Sequence, residues 1–346
     1  MSEPHRPAHV LATLAVAAAG ALLFRVLGLP LPFLLGAVCA TTLAGLAGLP
    51  VTLPSALRTL VMAILGTVIG TAFDPGRLHG LARFGASLAG LVVAVAATAA
   101  AGWLYLRRVG GLCGRDAFFA AMPGGFGEMV LLADRVGADV GRVALIHAVR
   151  VWIIVTTAPF AVTALGGHTA PPPLWNGIAA GDLLRLAAAA LLGAGLARRL
   201  RLPAWALTGP LAAGALLHLS GVVTARPPRL LVAGAQVVIG AMVGTRLRGL
   251  DGRDLPRLVA TAAGLTLLMF ALAALFALLA HLVTGIALPA LLVAYVPGGV
   301  VEMGVVALAL GLDPAFVATH HLLRILLLVG SAPILFALWR RVRARG

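Results

Sequence analysis

Seven residues set deep inside apolar sequence, Pro123-Gly124-Gly125-Phe126-Gly127-Glu128-Met129, recur as Pro297-Gly298-Gly299-Val300-Val301-Glu302-Met303. A Pro-Gly-Gly break frees backbone N–H and C=O groups, which a lipid phase cannot satisfy. A carboxylate at the bilayer centre adds a cost of about 2.5–3.5 kcal/mol or more. The chain around each break must therefore cover it with protein or with a water-filled cavity.

The two breaks belong to a longer duplication at an offset of 173 to 174 residues. Leu29-Pro30 matches Leu202-Pro203, Gly36 matches Gly209, and Gly66, Gly70 and Thr71 match Gly240, Gly244 and Thr245. After the breaks come Gly137/Gly311, Asp139/Asp313, His147/His321, Arg150/Arg324 and Pro159/Pro333. Such a repeat decides the architecture before any local detail does. It divides the chain into a first repeat over 1–167, a Pro/Gly-rich periplasmic linker over 168–181 and a second repeat over 182–346.

Hydrophobic residues make up 61% of the chain and charged residues 11%, with a mean hydropathy of +1.05. Soluble domains are about a quarter charged, so this is an all-α polytopic membrane protein. Apolar helices are expected at about 9–27, 31–48, 55–73, 82–106 and 139–164, and again at 182–200, 204–222, 229–247, 257–283 and 314–340. Between the last two of each set lies a broken segment, at 113–136 and 286–311. A crossing takes about 17–25 residues. The arms of each break are too short for that, so each is either a re-entrant hairpin or a strained pair of crossings. The N-terminal apolar stretch resembles a signal peptide, but its counterpart in the second half marks it as a retained helix.

The net charge is +15, and all 26 basic residues are Arg. They fall at helix ends, as the positive-inside rule expects, and form no soluble nucleic-acid-binding patch. With five crossings per half and the N-terminus in the cytoplasm, 18 Arg lie inside and 6 outside, with Arg150 and Arg324 within helices. Both termini are then cytoplasmic. Five is odd, so the second repeat is inverted relative to the first. The Lys-free, Ala/Gly/Leu/Arg-rich composition points to a GC-rich bacterial genome, and hence to a bacterial inner membrane.

Interrupted helices in inverted repeats mark the binding site of secondary transporters. The candidate solute- and ion-binding residues are Gly124, Gly125, Glu128, His147 and Arg150 with their counterparts Gly298, Gly299, Glu302, His321 and Arg324. Glu128 and Glu302 sit in the first turn after each break. There a carboxylate either exchanges a proton or sodium ion or caps the helix. Each His lies three residues before its Arg and shares its helical face. The pair either lines the pathway or lets the Arg neutralise a Glu. Gly66/Gly70 and Gly240/Gly244 have the spacing of close helix packing, and Asp139 and Asp313 that of N-caps. His320 has Ile146 as its counterpart and stands outside the symmetry. Cys39 and Cys113 have no metal or redox spacing.

The doubled Pro-Gly-Gly-x-x-Glu-Met, followed by Gly-x-Asp and a His-x-x-Arg helix, resembles the membrane AbrB family over about 10–340. The resemblance implies a fold like that of transporters built from inverted repeats. Members carry the labels ammonia monooxygenase and regulator of gene expression. The nine His residues form no ligand cluster by spacing, and no loop is long enough for a DNA-reading module. The expected function is secondary transport of a small polar or anionic solute, proton- or sodium-coupled, with an indirect effect on gene regulation. A passive channel for a neutral solute such as ammonia is the alternative, and a metalloenzyme a weaker one. The chain is not expected to be an enzyme or to carry a cofactor or metal. Its expected partners are the bilayer, the solute or ion, and in one option further copies of itself, with no nucleic acid.

Overall fold

The computed structural model describes residues 6–73, 81–166, 177–246 and 255–343. Most of the expected linker, residues 168–176, lies outside them. The described residues form fourteen helices and no strand. The first seven are α1 (Pro7–Val26), α2 (Pro32–Leu46), α3 (Ser55–Gly70), α4 (Leu81–Arg108), α5 (Gly114–Ala121), α6 (Phe126–Arg135) and α7 (Val140–Ala164). The second seven follow in the same order: α8 (Ala180–Arg199), α9 (Trp205–Leu219), α10 (Arg229–Thr245), α11 (Leu255–Thr284), α12 (Leu288–Tyr295), α13 (Val300–Ala309) and α14 (Pro314–Arg343).

Six helices, α1, α4, α7, α8, α11 and α14, are long and apolar enough to cross a membrane. The chain is thus a multi-pass, membrane-type helical protein. The expectation of five full-length crossings per half is met by three. The short α2, α3, α9 and α10 have 15, 16, 15 and 17 residues. At 1.5 Å per residue that is about 22–26 Å, less than a roughly 30 Å core. Their ends are set by backbone chemistry. Leu31 and Ala204 enter α2 and α9 in the left-handed region, with φ of 46° and 48°. Asp139 caps α7 by accepting the Arg142 N–H (3.0 Å), and Asp313 caps α14 by accepting those of Ala315 and Phe316 (3.0 and 3.3 Å).

The chain folds into two compact units, each drawing residues from both halves. One contains α1–α3, the C-terminal part of α7, α8–α10, α13 and the start of α14. Its helices meet backbone to backbone through glycine: α1 on α2 at Gly20 and Gly36, and α8 on α9 at Gly193 and Gly209. The third helix of each half packs on the second helix of the other. Gly66 and Gly70 of α3 face the Leu207 and Leu211 carbonyls of α9, and Gly240 and Gly244 of α10 face Leu34, Val38 and Thr41 of α2. A Cβ at Gly66 would lie 2.5 Å from the Leu207 oxygen, so the close-packing reading of the small-residue motifs holds at both.

The other unit contains α4–α6, α7 up to Ile154, α11, α12 and α14 from Thr319 onward. Phe118, Phe119 and Phe336 form an aromatic cluster with ring centroids 5.1–5.5 Å apart. Asp116 of α5 accepts the Asp139 N–H at 3.0 Å, tying the start of α7 to α5. This unit holds both His-x-x-Arg motifs and the Pro-Gly-Gly residues of both breaks.

Candidate functional site

Both half-helices α5 and α12 end where Pro cannot continue them. The residue before a proline is pushed out of the α region, and Met122 and Val296 indeed have ψ of 124° and 135°. The chain then turns tightly, Gly124 N–H donating to Met122 O at 2.9 Å and Gly298 N–H to Val296 O at 2.8 Å. Gly125 enters α6 with φ of 63°, a left-handed conformation that glycine adopts without the Cβ penalty. A Cβ on Gly124 would lie 3.2 Å from Arg324 Cδ. The Arg324 side chain thus passes directly over the break that α7 serves.

A helix that stops in an apolar interior leaves its last carbonyls without intrahelical donors. The His-x-x-Arg motifs supply those donors. In the first copy His147 Nε2 donates to Phe119 O (3.0 Å) and Arg150 Nη1 to Met122 O (2.8 Å). In the second, His321 Nε2 donates to Val293 O (3.0 Å), and Arg324 donates to the carbonyls of Ala294, Tyr295 and Val296 (2.9, 2.8 and 2.6 Å). Arg150 Nη2 also donates to His147 Nδ1 at 2.6 Å, with a longer equivalent of 3.5 Å from Arg324 to His321. A guanidinium only donates and a carbonyl only accepts. Each imidazole therefore carries its proton on Nε2 and is neutral.

All four side chains are at most 1% exposed. Of the two alternatives for each His-x-x-Arg pair, the one in which a Glu neutralises the Arg is not what the geometry shows. No carboxylate lies within ion-pairing distance of Arg150 or Arg324 among the described residues. Instead, Arg150 acts electrostatically on Arg324. The last carbonyls of α5 and α12 carry roughly half a negative charge per helix end. Two guanidiniums against two such ends leave a net charge of roughly +1, with no carboxylate paired to either among the described residues. The Nε of each Arg is buried and has no hydrogen-bond partner.

Glu128 and Glu302 fall in the first turns of α6 and α13, as their spacing predicts. Neither has a hydrogen-bond or ion-pair partner among the described residues, so neither caps its helix through its side chain. Glu128 is partly exposed. Glu302 is buried at 8% exposure, in the unit that holds Arg246, whose charge senses it. The structure thus gathers Gly124, His147, Arg150, Gly298, His321 and Arg324 around the half-helix ends of one unit. Gly125, Glu128 and Gly299 lie beside those ends in the chain, and Glu302 belongs to the other unit.

The sequence did not point to a second buried network in the same unit. His320 Nε2 lies 2.6 Å from Ser87 Oγ, Tyr295 Oη donates to the Ser87 carbonyl at 2.6 Å, and the Tyr295 and His320 ring centroids are 6.1 Å apart. Ser87 and His320 are fully buried. The one available signal was the broken symmetry between His320 and Ile146.

The family model described as "Transition state regulatory protein AbrB" matches residues 33–340. The chain belongs to the AbrB family. It is 30% identical over 319 residues to a protein of Escherichia coli (strain K12) named "Putative regulator AbrB", covering 89% of this chain and 90% of that one. It is also similar to "Uncharacterized protein YhjN" of Bacillus subtilis (strain 168), at 26% identity over 250 residues, 64% of this chain and 62% of that one. The family model spans both breaks and both His-x-x-Arg motifs of this chain.

Proposed function

We propose that this AbrB-family protein is a secondary transporter of a small anionic solute in a bacterial inner membrane. One observation carries the reading: two fully buried guanidiniums share a unit, and among the described residues no carboxylate lies within ion-pairing distance of either. A buried charge is tolerated only when it is paired and hydrogen-bonded. The carbonyl bonds meet the second condition and half of the first, and an anion would supply the rest. Intramembrane Arg of this kind marks a substrate or ion pathway by default.

The architecture belongs to the same proposal. The halves are two inverted repeats joined by the periplasmic segment 168–181, with both termini cytoplasmic. Inversion requires an odd number of crossings per half, and three long helices satisfy it as well as five do. Each Pro-Gly-Gly segment is a re-entrant hairpin that presents its half-helix ends to the solute. Glu128 and Glu302, which make no side-chain hydrogen bond among the described residues, are the proposed sites of a coupling proton or sodium ion. An effect on gene regulation would then follow indirectly from moving a signalling metabolite, in keeping with the word regulator in the name of the relative from Escherichia coli.

The ammonia-channel and metalloenzyme alternatives draw no support from the imidazoles. In His147 and His321 both ring nitrogens are engaged by the protein, which leaves no lone pair for a metal or a passing solute. The test is uptake of small anions and of neutral solutes into proteoliposomes, with wild-type protein and with Arg150→Met and Arg324→Met. Saturable anion uptake lost in the Arg variants supports transport. Uptake of a neutral solute that ignores both variants contradicts it.

A further inference from the structure

His320 and its neighbours are a place where the two repeats differ. The offset that relates Gly90 to Gly264 relates Ser87 to Thr261, Tyr295 to Ala121 and His320 to Ile146. The first-repeat equivalent of the trio is thus Thr, Ala and Ile, and Ile146 is as fully buried as His320. An apolar side chain fills that position without a hydrogen bond, so packing does not call for the imidazole. The chain also makes room for the network: a Cβ on Gly90 would lie 2.8 Å from Tyr295 Oη.

The trio is wired to the guanidinium site. His320 precedes Arg324 by four residues on α14 and shares its face. Tyr295 donates through its hydroxyl to Ser87 and accepts from Arg324 through its carbonyl. The polar and titratable groups that face His320 include Ser87 from α4, Tyr295 from α12, and His321 and Arg324 from α14. The Ser87 hydroxyl donates to a neutral Nε2 and accepts from a protonated one, so this contact survives in both states.

We propose that His320 is a proton-binding site that couples protonation to anion binding at Arg324, one proton per chain. The proposal rests on the anion reading of the two guanidiniums. A proton on His320 adds positive charge one turn from Arg324, which repels the guanidinium and attracts an anion. By linkage the proton and the anion each bind more tightly in the presence of the other. The device is therefore a symporter of an anion with a proton, and because Ile146 stands at the equivalent position, this type of proton site occurs once per chain, beside whatever ion Glu128 and Glu302 exchange.

The test uses full-length protein in lipid nanodiscs, labelled with 15N-histidine. The resonances absent from His320→Gln identify His320, and Gln keeps a hydrogen-bonding side chain for Ser87 while accepting no proton. Between about pH 8.5 and about pH 5 the His320 nitrogens are expected to pass from the neutral to the imidazolium pattern. A neutral pattern throughout overturns the proposal. In weakly buffered solution, acetate or inorganic phosphate is expected to draw about one proton per wild-type chain and none in His320→Gln. If His320 titrates but neither probe draws a proton, the coupling is wrong. If both probes act and Arg324→Met leaves the uptake unchanged, the anion reading fails while His320 stands as a proton site.

Discussion

Replacing Arg324 should destabilise the protein more than replacing Arg150, although the two occupy equivalent positions. Both are 1% exposed, and Met at either site removes one buried charge of similar cost. That term, several kcal/mol in favour of each variant, cancels in the comparison. What differs is the number of carbonyls left behind. Arg324 serves those of Ala294, Tyr295 and Val296, while Arg150 serves only Met122 and spends its other bonds on His147 and on the Met269 sulfur 3.9 Å away. A buried carbonyl left unpaired costs about 1–3 kcal/mol. Val296 O and Met122 O keep the Gly298 and Gly124 N–H groups. Arg324→Met therefore orphans the carbonyls of Ala294 and Tyr295 while Arg150→Met orphans only His147 Nδ1, and the two variants should differ by about 1–3 kcal/mol. Even the lower figure changes the folded-to-unfolded ratio roughly 5-fold. Denaturant titration of purified protein in detergent, followed by tryptophan fluorescence, measures the difference. Equal destabilisation, or a larger loss in Arg150→Met, would refute the clamp as the role of these side chains.

A double-mutant cycle of Arg150→Met with Glu128→Gln should show coupling below about 0.5 kcal/mol, because no ion pair joins them; a value above about 1 kcal/mol would mean that one forms. Glu128→Gln should fold in wild-type yield with a melting temperature within about 2 °C of wild type, since this carboxylate has no hydrogen-bond or ion-pair partner to lose among the described residues. Gly66→Val drives a side chain into the Leu207 carbonyl and should cost about 1–3 kcal/mol, read as lost thermal stability; an unchanged melting temperature would refute the close crossing of α3 and α9. Leu27 and Leu200 end α1 and α8 at equivalent places and are exposed. In a Cys39→Ala/Cys113→Ala background, Leu27→Cys should react with an impermeant thiol reagent from outside only and Leu200→Cys from inside only; labelling from one side would rule out inverted repeats.

The helices were legible in the sequence because apolar runs and their punctuation are local. The ends of α3, α7 and α10 fall within three residues of the expected positions, and both breaks lie at their Pro-Gly-Gly. Gly137 and Gly311 stop α6 and α13 in the left-handed region, ahead of the two Asp caps. The counter-charge of the arginines was not legible. Sequence reasoning pairs an Arg with a carboxylate because carboxylates have letters, whereas the carbonyls of a broken half-helix do not. Their partial charge exists only once the helix has formed and stopped. The network at His320 was hidden for another reason: Ser87 lies 233 residues away in the chain, beyond any periodic pattern. The compact units were also out of reach, since each mixes helices from both halves, and a repeat in sequence does not say which copies pack together.

Transport itself is tested most directly by flux. Proteoliposomes containing the full-length chain should be offered labelled small carboxylates, inorganic phosphate and a neutral solute, with and without an inward proton gradient. The account predicts saturable uptake of at least one anion, faster with the gradient and abolished in Arg150→Met at a folded yield that permits comparison. Uptake confined to the neutral solute, or anion uptake that persists unchanged in Arg150→Met, would contradict it.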